Sequence, residues 1–136
     1  MTTPARSSTS LPRPTDAELS VLRVLWERGP STVREVFETL NASRPEPLAY
    51  TTVLRFLQIM TEKQLVVREG DARGHVYAPK VPAERTKRQM VHDLMDRAFG
   101  GSVQELVLQA LGSRKVSAAE LGEIRKLLKE LDSTAK

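Results

Sequence analysis

Apolar residues recur along this chain with two different periods, and the change of period marks out its elements. Behind Thr15-Asp16-Ala17-Glu18, the residues Leu19, Leu22, Val24, Leu25 and Trp26 form a stripe at helical spacing. The leading tetrad is a capping box, in which a hydroxyl and a carboxylate three residues apart close the orphan N–H groups of a helix start. Gly29-Pro30 ends this helix. Ser31 stands where it can cap a second helix over 32–41, with Val33, Val36, Phe37 and Leu40 as its buried face. Pro45 and Pro47 then hold the chain in a loop. A third helix is predicted over 49–63, where Val53, Phe56, Leu57 and Met60 stand at i, i+3, i+4 and i+7. Trp26, the single tryptophan, reads as a core anchor.

From residue 65 the pattern becomes that of strands. Two β-type runs, 65–69 and 75–78, flank turn residues 70–74, which predicts a two-stranded hairpin. Such a hairpin is marginal alone and must pack on the helices. Pro79 and Pro82 bracket a hinge, after which the helical period returns over 83–99 with Met90, Val91, Leu94 and Met95 in its apolar set. Gly100-Gly101 breaks that helix. Ser102 and Ser117, each followed three residues later by Glu, open two more helices, one carrying Leu106, Val107 and Leu111 and the other Ile124, Leu127, Leu128 and Leu131. Three helices in about 55 residues cannot bury all these faces within one chain. Leu94, Leu106, Ile124 and Leu128 are therefore expected to meet a second copy, making a homodimer.

The organisation expected is a Ser-, Thr- and Pro-rich tail over 1–14, a helix-and-hairpin domain over 15–81 and a helical dimerisation domain over 82–136. With 40% apolar and 28% charged residues the chain has the composition of a folded domain. It has no apolar run of membrane-spanning length, roughly 18 residues, and no signal-peptide core at its start, so no membrane insertion is expected and the cytoplasm is the expected location. A cysteine count of zero removes disulfides and thiolate metal sites. The net charge of +4 fits a nucleic-acid partner without requiring one.

Candidate chemistry lies on the polar face of the third helix. Thr51, Thr52, Arg55 and Gln58 offer hydroxyls, a guanidinium and an amide, with no acid before Glu62. A solvated helix face ordinarily mixes Glu with Lys. This one suits base edges and phosphates, and Tyr50 stands at its start. Arg44 in the preceding loop, and Arg68, Arg73, His75 and Lys80 on the hairpin, add phosphate-binding charge. His75 and His92 have no second His at i+3 or i+4, so no metal or other cofactor is expected. Glu35 and Glu38 read as a solvated face, and no nucleophile or phosphate loop is present, which argues against an enzyme. The alternatives to a sequence-specific DNA binder are a helical protein adaptor and a non-specific architectural DNA binder.

Thr15-Asp16-Ala17-Glu18-Leu19 with Val24-Leu25-Trp26, then Val33-Arg34-Glu35-Val36, then Ala49-Tyr50-Thr51-Thr52-Val53 with Leu65-Val66, make the chain resemble the penicillinase-repressor family of BlaI/MecI/CopY type. The resemblance spans residues 11 to about 132, and its most specific marker is the Tyr-Thr-Thr-Val segment. It implies a mainly α fold: a winged helix-turn-helix domain, three helices plus a two-stranded β wing, followed by a three-helix dimerisation domain. It also implies a homodimeric repressor on a palindromic double-stranded DNA operator, with regulated genes concerned with β-lactam resistance or the cell envelope. In the β-lactam systems a membrane sensor-protease pathway leads to repressor cleavage. The copper-responsive branch uses C-terminal cysteines, which this chain lacks, so copper sensing is disfavoured. The Asn-Phe cleavage pair of well-known members is missing near Asp93-Leu94, which argues against induction by cleavage at that point.

Overall fold

In the computed structural model, which describes residues 13–71 and 74–135, the capping box at Thr15 forms in full. The Thr15 hydroxyl accepts from the Glu18 N–H at 3.2 Å, and Glu18 Oε1 accepts from the Thr15 N–H at 2.9 Å. Helix α1 (Asp16–Arg28) follows and ends at Gly29, whose φ of 89° is open to glycine alone at little cost. Helix α2 (Val33–Ala42) starts one residue later than expected, with Thr32 and not Ser31 as its cap. The reason lies in the partner three residues on: Thr32 finds Glu35, whereas Ser31 would find Arg34. Glu35 accordingly closes a second capping box and lies 3.4 Å from Arg28, so it is more than a solvated acid. Ser31 is instead fully buried, its hydroxyl donating to the Gly29 carbonyl at 2.8 Å.

Helix α3 spans Tyr50–Glu62. Strands β1 (Val66–Asp71) and β2 (Gly74–Pro79) pair antiparallel, in register from Val66 opposite Pro79 to Asp71 opposite Gly74. Both strands run further toward the tip than the alternation suggested. Gly70 lets them do so: its φ is 122°, and a Cβ there would stand 2.2 Å from the Gly74 carbonyl oxygen. Ser31 and Tyr77 exchange backbone hydrogen bonds of 3.0 and 2.8 Å, fastening β2 to the turn between α1 and α2.

One core joins these elements. Val21, Leu22, Val24 and Leu25 of α1 meet Val36 and Leu40 of α2, Val53, Leu57 and Met60 of α3, and Leu65, Val66 and Tyr77 from the hairpin. Trp26 and Phe56 are half-buried at its margin, so Phe56 is not the interior residue its spacing suggested. This accounts for the hairpin's order, since Val66 and Tyr77 are buried against helices and not merely paired with one another.

The chain divides into two compact units, the division falling between Met90 and Val91 inside helix α4 (Ala83–Ala98). The first turns of α4 belong to the first unit: Thr86 is buried, and the Lys87 ammonium lies 5.4 Å from the centre of the Trp26 ring. In the second unit Gly100 and Gly101, both with positive φ, lead into helix α5 (Val103–Gly112), and helix α6 (Ala118–Thr134) follows. The Ser102 and Ser117 hydroxyls accept from the Glu105 and Glu120 N–H groups, but the returning carboxylate bond that would complete a capping box forms at neither, so each helix start has half of the box its spacing predicted. Neither α5 nor α6 has a buried residue. No helix among the described residues is long and apolar enough to cross a membrane.

Candidate nucleic-acid interface

Helix α3 is seated by its inner face, where Val53, Leu57 and Met60 are all fully buried. The 3.6-residue period then turns Thr51, Arg55 and Gln58 outward as exposed side chains, with Thr52 half-buried beside them. No carboxylate interrupts this face before Glu62 at the last turn. It therefore presents donors and acceptors for base edges without a charge that phosphates would repel.

Both ends of the helix are held by groups outside it. At the entrance, the Asn41 side chain donates to the Leu48 carbonyl at 3.0 Å and accepts from its N–H at 2.9 Å, pinning the loop that delivers α3. This clamp replaces the missing cap: Ala49 has no side-chain oxygen to offer, and its carbonyl accepts only the first helical N–H groups. At the exit, Gln64 adopts a left-handed φ of 69°. The Leu65 N–H reaches back to the Met60 carbonyl at 2.9 Å and the Gln64 N–H to the Thr61 carbonyl at 3.1 Å, the hydrogen-bond pattern of a left-handed helix cap. Lys63, the last residue before that cap, extends its Nζ to 2.7 Å from Glu18 Oε1.

Glu18 thus closes the start of α1 and grips the end of α3 with one carboxylate, itself only 5% exposed. Burial pushes its pKa up, but the Lys63 ammonium, as donor and as charge, with the Thr15 N–H and hydroxyl, holds it below the ordinary value of 4.5. The ionised form is the one the structure keeps.

The other predicted positions fall in different places. His75 and Arg68 are exposed on the strands, and Arg68 shares a groove with Gln58, Gln64 and Lys80 between the end of α3 and the base of the hairpin. Lys80 also donates to the Gln64 side chain there. Arg73, expected in the hairpin turn, lies outside the described residues, as does most of the tail predicted over 1–14. Arg44 donates to the Glu46 carbonyl at 3.2 Å and lies in a hollow with Ser20, Arg23 and Glu27 of α1, not against α3.

The cation that does meet the start of α3 is Arg34 of α2. Its guanidinium carbon lies 5.3 Å from the centre of the Tyr50 ring and 6.0 Å from that of Phe37, and the two rings stand edge to face at 5.5 Å. Sequence reading passed over Arg34 because it belongs to an Arg-Glu pattern at i and i+4 on an exposed face. The one available signal is that Phe37, one turn along, shares its side of α2.

A family model described as the penicillinase repressor matches residues 14–130. The transcriptional regulator BlaI of Mycobacterium tuberculosis is 36% identical over 119 residues, covering 87% of this chain and 84% of that protein. The penicillinase repressor of Bacillus licheniformis is 25% identical over 120 residues, covering 88% of this chain and 92% of that protein. The solution structure of the B. licheniformis BlaI monomeric form in complex with the blaP half-operator is 24% identical, covers 56% of this chain and 90% of that one, and gives a TM-score of 0.48.

Proposed function

The chain belongs to the penicillinase repressor family, whose members are DNA-binding transcriptional regulators and not enzymes, and from that premise we propose that it acts in the cytoplasm as a homodimeric repressor of a palindromic operator. The observation that carries the reading is the outward face of α3, exposed, free of acid until its last turn, and held rigidly by core, loop clamp and Glu18. Thr51, Thr52, Arg55 and Gln58 read bases, with Arg55 suited to bidentate pairing with guanine and the threonine methyls to thymine methyls. Tyr50, Arg44, and His75 and Arg73 of the wing contact the backbone and set register. Residues 15–81 supply this reading head and the helices after them the dimer contacts, with Leu94, Leu106, Ile124 and Leu128 between copies. Leu94 and Leu128 are both exposed, in keeping with a face that a second copy covers.

Two half-sites about 34–36 Å apart place the paired α3 helices in successive major grooves on one side of the duplex. Repression follows from occupying promoter DNA, and release from whatever separates the two copies. Similarity to penicillinase repressors supports a role at β-lactam response genes, and the proposal extends to cell-envelope genes and a sensor-protease pathway upstream. A gel-shift series on the DNA upstream of the chain's own gene, at two salt concentrations, tests the reading. One palindrome retained as salt rises is the expected outcome. Equal shifts of any duplex indicate an architectural protein, and no shift indicates an adaptor; either one ends the proposal.

A further inference from the structure

Arg34 sits beside the reading head but outside it, and its surroundings are unusual for a surface arginine. Two aromatic rings hold it: Phe37 on its own helix, and Tyr50, the first residue of α3, which is 38% exposed. The rings brace each other edge to face, so the guanidinium has an aromatic surface to rest on while the side chain stays open to solvent. Among the described residues its ion-pair partner is Glu38, at 3.7 Å, with both side chains well exposed at 65% and 63%. Ion pairs of that kind are weak and exchange readily.

We propose that Arg34 is a phosphate-binding residue of this repressor, oriented by Tyr50 and Phe37 and held in check by Glu38. The proposal rests on the DNA-binding reading of α3. A helix about 10–12 Å across fills a major groove about 12 Å wide, so the sugar-phosphate strands run along its flanks. Tyr50 immediately precedes Thr51 and Thr52. A cation stacked on the Tyr50 ring is therefore carried to the strand bordering the groove when those threonines meet bases. Guanidinium and phosphate match as planar donor and anionic acceptor, and the cation–π contact favours this placement of the side chain before DNA arrives. On docking, Arg34 exchanges the Glu38 carboxylate for a phosphate. Glu38 thus acts as an internal competitor that weakens binding to all sequences alike.

The test uses the full chain and two duplexes, one from the region upstream of its gene and one of random sequence, titrated over a range of salt. Arg34→Met is expected to weaken both by roughly tenfold per copy bound and to flatten the dependence of log affinity on log salt by about 0.9 per copy. Arg34→Lys keeps the salt slope while losing part of the affinity, because charge remains without the stacking plane. Glu38→Gln is expected to tighten both duplexes by about threefold, a gain that disappears when Arg34 is already Met. An unchanged salt slope in Arg34→Met overturns the proposal, as does a Glu38→Gln gain that persists in the Arg34→Met background. A fall in sequence preference with no change of slope would show Arg34 to be only a prop for α3. If the unaltered chain binds neither duplex, it is the DNA-binding reading of α3 that fails.

Discussion

At the scale of single residues, Arg55 and Glu18 carry different parts of the proposed function. Arg55 is exposed in the middle turn of α3 and makes no ion pair among the described residues, so in the proposed complex its guanidinium has no carboxylate to leave before it meets a base. Arg55→Ala is expected to cost roughly 1–3 kcal/mol of discrimination between operator and mismatched DNA. Competition binding measures this, and equal losses on operator and random duplex would remove Arg55 from the reading set. Glu18 lies away from the outward face of α3 and holds the last turn of that helix through Lys63. Because its carboxyl is held below the ordinary 4.5, it binds fewer protons folded than unfolded, and the stability it contributes is fully present above that value. That contribution is lost as pH falls below 4.5 through the lower folded value. Glu18→Gln should therefore narrow the stability gap to the unaltered protein as pH drops, which denaturant melts at stepped pH can follow. Lys63→Met leaves Glu18 buried without its cation and should cost roughly 3 kcal/mol near neutral pH, more than Glu18→Gln, since Lys63 can still reach water. A gap between the two variants that does not shrink as pH falls below 4.5 would mean that charge burial is not the cause.

At the scale of elements, helix ends show what could be read from sequence and what could not. Capping at Thr15 is legible because hydroxyl and acid stand three apart, and the same rule applied strictly selects Thr32 over Ser31. The end of α3 was not legible, because glutamine carries no left-handed signature and Gln64 takes that conformation only because Leu65 must turn into the core. Replacing it tests this. Gln64→Gly should raise stability by about 1 kcal/mol, less whatever the lost Lys80 contact contributed, and a thermal melt that moves downward would show that contact to dominate. The candidate site divides in the same way. Thr51, Arg55 and Gln58 point outward because the helical period compels it once Val53, Leu57 and Met60 are inside. The Asn41 clamp on Leu48 and the Arg34 stack on Tyr50 join residues of different elements, and no local pattern announces such pairs.

Over the whole molecule, the two units differ in how far each satisfies itself. The first unit encloses a core from five elements, whereas α5 and α6 bury no residue, and Leu108, Val103 and Leu128 remain 62%, 60% and 58% exposed. An apolar surface of that extent on a folded chain calls for a cover, and in a homodimer the cover is the same surface on a second copy. Leu128→Asp probes this at a site where a single chain has little to lose, because the side chain is already open to solvent. In an isolated chain the new carboxylate stays hydrated; in an apolar interface it would be buried unpaired, which costs several kcal/mol for each copy. Sedimentation velocity should accordingly find monomers with the helical content of the parent. Operator affinity should fall far more than affinity for a half-site, since each copy then pays separately for an association that the dimer makes intramolecular. The base preference of each half-site should persist, because α3 and its supports lie wholly within the first unit. Dimers that survive the substitution would place the interface elsewhere on these helices, while monomers that keep full operator affinity would show that repression does not depend on pairing.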